Sequence, residues 1–471
     1  MLFSSLEFLF LFLPLTLLFY YLVPTKAKNA VLLLCSLVFY AWGERIYLWL
    51  MIFTIAADYA FGLLVERAKK HEKPRAAKRW LIAAIILNLA LLGFFKYADF
   101  LLDNLRLIPA LANLPTLSLS LPIGISFYTF QALSYVIDVY RGDATAQHSA
   151  VRFGTYVTLF PQLIAGPIVR YRDVAAELDH RTHTTSAVAS GARTFICGLA
   201  KKVLLANTAG AMWESFRIVP DAERSVLGAW LGVLFFTLQI YFDFSGYSDM
   251  AIGLGRMLGF RFNENFYYPY VACSITDFWR RWHISLSTWF REYVYIPLGG
   301  NRCKTSRMIF NLLITWLLTG LWHGASWNYL LWGLYFFLLL TIEKLFLGKW
   351  LEKLPKILQH TYALFFIAIG WLIFVFEDSV AGLAYLGTML GIGGAGAASG
   401  ADVYEILRNA IFITLCTVAC LPTPKRYFYR KLADHPRLVG ALANTVSLGA
   451  LILCTAYLVN SSYNPFLYFR F

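Results

Sequence analysis

From Phe8 onward the chain alternates long apolar runs with short basic loops, and no polar stretch is long enough to fold as a separate domain. A membrane-spanning helix needs about 20 predominantly apolar residues. Runs that meet or approach this length occupy 8–23, 30–42, 46–65, 81–105, 123–140, 188–205, 227–244, 362–375, 406–420 and 438–459. The stretches 157–169 and 279–296 are too short or too polar to cross alone. They read as re-entrant or interfacial helices lining a polar cavity, because irregular backbone at membrane depth must be shielded from lipid. The pattern predicts an all-α, polytopic integral membrane protein, organised as a single transmembrane domain over residues 1–471.

Composition agrees. A soluble domain is about a quarter charged, whereas this chain is 14% charged, 59% hydrophobic and 17% aromatic, with a mean hydropathy of +0.59. The first apolar run has no basic residue before it and no small-x-small site after it, so it is expected to be retained as a helix rather than removed as a signal peptide. A formal charge of +14 would suit a nucleic-acid binder, but the basic residues sit between apolar runs: Arg67 to Arg79, Lys344 to Lys356, and Lys425 to Lys431. That is the distribution of cytoplasmic loops, and it argues for membrane lipids and against nucleic acid as the surroundings. Lys26 and Lys28 after the first run place the N-terminus outside, and the tip Gly43-Glu44-Arg45 of the next hairpin then also lies outside. The seven cysteines are scattered without metal-ligand spacing, and neither a metal nor a resident cofactor is expected. Gly391-x-Gly393-x-x-Gly396 matches a dinucleotide fingerprint in letters only. No strand-turn-helix unit surrounds it, and a loop is expected there.

Polar chemistry is densest from Tyr241 to Trp332. A straight helix from Phe310 to Leu340 would run about 46 Å at 1.5 Å per residue, against a hydrocarbon core of about 30 Å. It should break, and Thr319-Gly320 and Gly324-Ala325-Ser326 are the natural places, with His323 between them. Arg302, Lys304 and Arg307 precede the run and Lys344 and Lys349 follow it, so both ends are expected on one side, with the two halves forming a hairpin that carries His323 into the membrane. Ionisable residues there are functional candidates by default, and an imidazole suits proton transfer near neutral pH. The structural alternative is a buried histidine bonded to a backbone carbonyl.

Upstream, 276–302 is rich in aromatics. On one helix Trp279, Trp282, Leu286, Trp289 and Tyr293 share a stripe, and Arg280, His283, Ser287 and Arg291 share another. That polar stripe could bind an anionic acyl carrier or face a reaction chamber, and an interfacial anchor would use the same tryptophans. Arg280, Arg291, Ser287, Trp322 and Asn328 are the candidates for donor or acceptor binding. Asp243 and Asp249, six residues apart and so on different helical faces, read as structural, with Asp249 capping a helix start or the carboxylates pairing with Arg256 or Arg261.

Four segments together resemble the bacterial membrane-bound O-acyltransferase (MBOAT) family, with the closest likeness to the membrane subunits of alginate O-acetylation. They are F-P-Q-L-I-A-G-P-I-V-R from Phe160, D-F-S-G-Y-S-D from Asp243, F-W-R-R-W-H-I-S-L-S-T-W-F-R-E-Y-V-Y-I-P-L-G-G from Phe278, and T-G-L-W-H-G-A-S-W from Thr319. The resemblance implies a ring of tilted helices with short re-entrant and interfacial helices around a central channel open to opposite faces. It implies His323 as the catalytic histidine and His283 as the second family histidine. It further implies a bacterial cytoplasmic membrane location, and a cytosolic acyl thioester such as acetyl-CoA as co-substrate. The acceptor would be a hydroxyl of an exported polysaccharide, of peptidoglycan, or of a periplasmic partner enzyme. No extracytoplasmic domain of useful size is present, so a separate acetyltransferase or polysaccharide-binding partner is expected. A teichoic-acid D-alanyltransferase is the nearest rival within the family. A polysaccharide transporter or a non-catalytic scaffold is the rival outside it.

Overall fold

In the computed structural model of the chain, the described residues are 1–460 with Asn464 and Leu467, and they form helices and loops with no strand among them. Seven of the described helices are long and apolar enough to cross a membrane: Tyr47–Lys70, Pro74–Arg106, Thr185–Arg217, Val226–Met257, Trp327–Leu351, Lys356–Val375 and Pro436–Asn460. The protein is a multi-pass membrane protein. Large apolar side chains such as Leu22, Ile46, Trp49 and Val446 lie exposed on these and neighbouring helices, an aggregation hazard in water and the ordinary state of a surface solvated by lipid.

Most predicted runs coincide with helices, and three differ. The run 123–140 is the Ile125–Arg141 helix, which at 17 residues falls short of the usual span. The run 406–420 is two helices, Gly400–Arg408 and Ala410–Ala419, because Asn409 turns its side-chain amide back onto the Glu405 carbonyl. The run 227–244 does not stop at Phe244: the Val226–Met257 helix continues through the whole D-F-S-G-Y-S-D segment. Asp249 therefore lies in mid-helix and cannot cap a helix start. The glycine-rich segment expected as a loop over 391–400 is one from 391 to 399, with positive φ at Gly391, Gly393, Gly394 and Gly396, and Gly400 opens the next helix.

The described chain divides into two compact units, residues 1–195 with 247–263 and residues 196–246 with 264–471. The first is built on a phenylalanine cluster in which Phe3, Phe8, Phe39 and Phe160 pack within 6.5 Å of one another. Its 157–169 stretch, read as too short to cross alone, is divided between the end of Ala150–Thr158 and the short helix Phe160–Leu163. The break is held by Ser36, whose hydroxyl accepts the Phe160 N–H, and by Tyr156, whose single O–H is within reach of the carbonyls of Val169 at 3.0 Å and Gln131 at 3.2 Å. The second unit has an aromatic core of Trp279, Trp316, Trp332, Phe336 and Trp371, and contains both candidate histidines.

Within the first unit, the Asn88 amide donates to Asp58 across two spanning helices at 2.8 Å, and both side chains are fully buried. Removing one partner of a buried polar pair costs more than removing both. Asn88→Leu is thus expected to lower stability by about 1–3 kcal/mol, and Asp58→Leu/Asn88→Leu together to recover part of it, as read by thermal unfolding in detergent micelles. A double variant less stable than Asn88→Leu would contradict this.

Candidate active site

The site is organised by the predicted hairpin. Its first helix, Thr305–His323, ends on the histidine, Gly324-Ala325-Ser326 form the turn in extended backbone, and Trp327–Ile342 returns. Of the two predicted breaks only this one occurs, since Thr319 and Gly320 are helical. Gly320 serves a different purpose. A Cβ there would collide with the Tyr329 carbonyl, and a Cβ on Gly333 would collide with that of Trp316, so the two helices touch backbone to backbone. Small residues permit such close approach, which in lipid takes the place of a hydrophobic driving force.

His323 is buried at the helix end, its ring edge-on to Trp332 at 5.0 Å and to Phe374 at 5.2 Å. It faces a narrow cavity with space for about one water. Asp243 is the other ionisable group in the lining, and Ile240, Phe244, Trp282, Trp371, Phe374 and Leu467 complete it. A wider cavity, about 990 Å³ counting its open mouth, shares Leu467 with the first and is lined by Trp213, Tyr329, Phe376 and the charged groups Glu214, Arg217, Glu377 and Asp378.

The second histidine is not on a continuous amphipathic helix. The segment folds as Ile275–Trp279 and Ile284–Phe290, and His283 between them sits in the left-handed region with φ 45°. The aromatic stripe survives the break: Trp279, Trp282, Leu286, Trp289 and Tyr293 are all buried. The polar stripe does not, for His283 is turned inward while Arg280 and Arg291 are exposed and Ser287 is half-buried. Arg291 pairs with its neighbour Glu292. Asn265 holds the turn: its side-chain oxygen lies 3.2 Å from His283 Nδ1 and accepts from the Ser285 hydroxyl and N–H, while its carbonyl accepts the Ile284 N–H. His283 packs edge-on to Phe244 at 4.7 Å and to Trp322 at 5.9 Å. Burial, and secondarily the nearby His323, hold its imidazole well below the ordinary value and therefore neutral.

The remaining candidates separate by place. Asn328 is buried and donates to the Phe374 carbonyl at 2.9 Å, so it fixes a cavity wall. Trp322 is buried between the two histidines rather than in the cavity lining. Asp243 pairs with neither Arg256 nor Arg261. Its carboxylate lies 2.6 Å from Lys202 Nζ. Asp249 is half-buried six residues on. Sequence reasoning missed Lys202, Trp371 and Phe374. Lys202 alone carried a signal, an ionisable residue inside the predicted 188–205 span. Among the described residues no three His, Cys, Asp or Glu side chains converge as metal ligands would.

Comparison with known proteins identifies the family. Residues 141–386, which include the Asp243 segment and both histidines, match the MBOAT, membrane-bound O-acyltransferase family. The chain belongs to this family. A probable alginate O-acetylase of Pseudomonas aeruginosa is 46% identical over 381 residues, covering 80% of this chain and 72% of that protein. One from Pseudomonas putida is 41% identical over the full length of both. A peptidoglycan O-acetyltransferase of Helicobacter pylori is 36% identical over 84% of this chain and 80% of its own. This membrane O-acyltransferase is an enzyme of acyl transfer to oxygen, which sets the transporter and scaffold readings aside.

The hairpin contact gives a test. Gly320→Ala must push the Tyr329 backbone away, and overpacking of this kind costs about 1–3 kcal/mol. The variant is expected to unfold at lower temperature in detergent and to lose acyl transfer, with the neighbouring exposed Leu318→Ala as a control that changes neither. Wild-type behaviour in Gly320→Ala would mean that the two helices are not in backbone contact.

Proposed function

We propose that the protein transfers an acetyl group from a cytosolic thioester, acetyl-CoA or a similar carrier, to an extracytoplasmic hydroxyl in the biosynthesis of an acetylated cell-surface polysaccharide of the alginate type. The observation that carries this is His323 at the tip of a membrane hairpin, facing a cavity walled by aromatic rings. The printed names of the relatives at 41–46% identity favour alginate. The Helicobacter pylori relative supports peptidoglycan as the second reading.

His323 is the general base. As the acceptor oxygen bonds to the acyl carbon, its proton passes to the imidazole. The carbon–sulfur bond then breaks, and the leaving thiolate takes the proton back. A hydroxyl is a poor nucleophile near pH 7, and a positioned base contributes about 10²- to 10⁴-fold. His283, neutral and tied to Asn265, supports the pocket next to it. The exposed guanidinium groups of Arg280 and Arg291 are available to donor phosphates.

Charge supports one orientation. The two limbs of the hairpin begin and end among basic residues, the mark of cytoplasmic loops, which favours the N-terminus outside. The Lys356–Val375 helix starts on the same side and delivers Glu377 and Asp378 to the other. The wider cavity then opens outward and is the acceptor's approach. A separate extracytoplasmic protein that binds or finally acetylates the polymer completes the system.

The test is His323→Ala, expressed with its partner genes at matched membrane level in a host lacking the native gene, with O-acetyl ester measured on purified exopolysaccharide and on peptidoglycan. Ester is expected to fall by about 10²-fold or more on one polymer, which names the acceptor class. Unchanged ester on both would remove His323 as the base.

A further inference from the structure

We infer that Asp243 is a positioning residue for the reaction, a carboxylate held by Lys202 that stabilises the imidazolium formed on His323. This rests on His323 acting as the base. Three observations carry it. First, Asp243 and His323 are the two ionisable groups lining one cavity with room for about one water, so both border the same small space. Second, the carboxylate is fixed from both sides: Oδ1 is 2.6 Å from Lys202 Nζ, and Oδ2 accepts the Leu467 N–H at 2.9 Å. Third, both charged side chains are 3% exposed, at the depth of two spanning helices.

A buried pair of charges is a poor way to join two helices. Desolvation opposes it by several kcal/mol per ion, and apolar side chains of similar size would hold the helices as well or better. Lys202 also sits in a π-helical turn, Lys201–Ala206, within the Thr185–Arg217 helix, and such turns occur frequently at functional sites. Lys202 lies against the carboxylate, so the pair as a whole brings little net charge to the cavity. When the acceptor proton arrives, the fixed carboxylate is already in place to stabilise the new positive charge without reorganisation. Of the groups packed near His323, His283 is held neutral, and Trp332 and Phe374 carry no charge.

The experiment compares Asp243→Asn, Lys202→Met and the double variant Lys202→Met/Asp243→Asn, purified in detergent, by acetyl transfer from acetyl-CoA to the acceptor named by the ester measurement above. Folding is checked by thermal unfolding. Asp243→Asn is expected to lower kcat by about 10²-fold with little change in donor KM. Its acid limb should move to lower pH, because an imidazolium without its carboxylate forms less readily and the base stays neutral further into acid. The double variant, with no uncompensated charge, should fold as well as the wild type and stay slow. Recovery of wild-type kcat in the double variant would overturn the assignment, making the pair a helix tie. So would an acid limb that stays in place in Asp243→Asn. If His323→Ala itself transfers at the wild-type rate, the base reading fails first, and that outcome is separate from either result at Asp243.

Discussion

Hydrogen bonding of backbone in a medium without water governs this site. A helix in hydrocarbon satisfies its own polar groups, and a break in it exposes them at a cost of several kcal/mol each unless protein covers them. His323 sits at such a break. The turn at Gly324–Ser326 is tolerable because Gly320 and Gly333 bring the two limbs into backbone contact and because Trp332, Phe374 and Trp371 close around the tip. The feature that brings an imidazole to membrane depth thus also dictates that its surroundings be aromatic and close-packed. A cavity of about one water's volume is what remains.

The same constraint explains which features could be read from the sequence. Runs of apolar residues between basic loops report contact with lipid, and the predicted spans became helices wherever lipid is what they face. The hairpin around His323 was legible because its length exceeds the bilayer and its glycines mark the turn. The D-F-S-G-Y-S-D segment misled because its polar residues face protein. Asp243, Ser245 and Ser248 are buried, so a segment that looks like a helix end by hydropathy is mid-helix by packing. The amphipathic reading of 276–293 held for the tryptophans and failed for the polar stripe. Helical periodicity cannot anticipate that Asn265, nearly twenty residues upstream, stabilises a left-handed turn at His283. The Lys202–Asp243 pair joins residues 41 positions apart, and local pattern carries no information about which buried cation meets which buried anion.

Function is consistent with a division of labour between the two cavities. The narrow one holds the proposed base, a fixed carboxylate and space for about one water, too little for a polymer. The wider one, with an open mouth and charged rim, meets it at Leu467. In the proposed orientation the acyl group enters from the side of the basic loops and the acceptor from the other, so the reaction itself carries the acyl group across the membrane. No separate transport step is then required. The names of the family relatives span alginate and peptidoglycan O-acetylation.

The most direct test is sidedness of transfer. The purified protein would be reconstituted into sealed proteoliposomes of one orientation, fixed by protease mapping of the 67–79 loop, with radiolabelled acetyl-CoA supplied on one side and a hydroxyl acceptor on the other. The account predicts label on the acceptor only when donor and the basic loops share a side, with no label in the lumen as free acetate ahead of the acceptor. Equal transfer with donor on either side, or transfer only when donor and acceptor share a compartment, would contradict it.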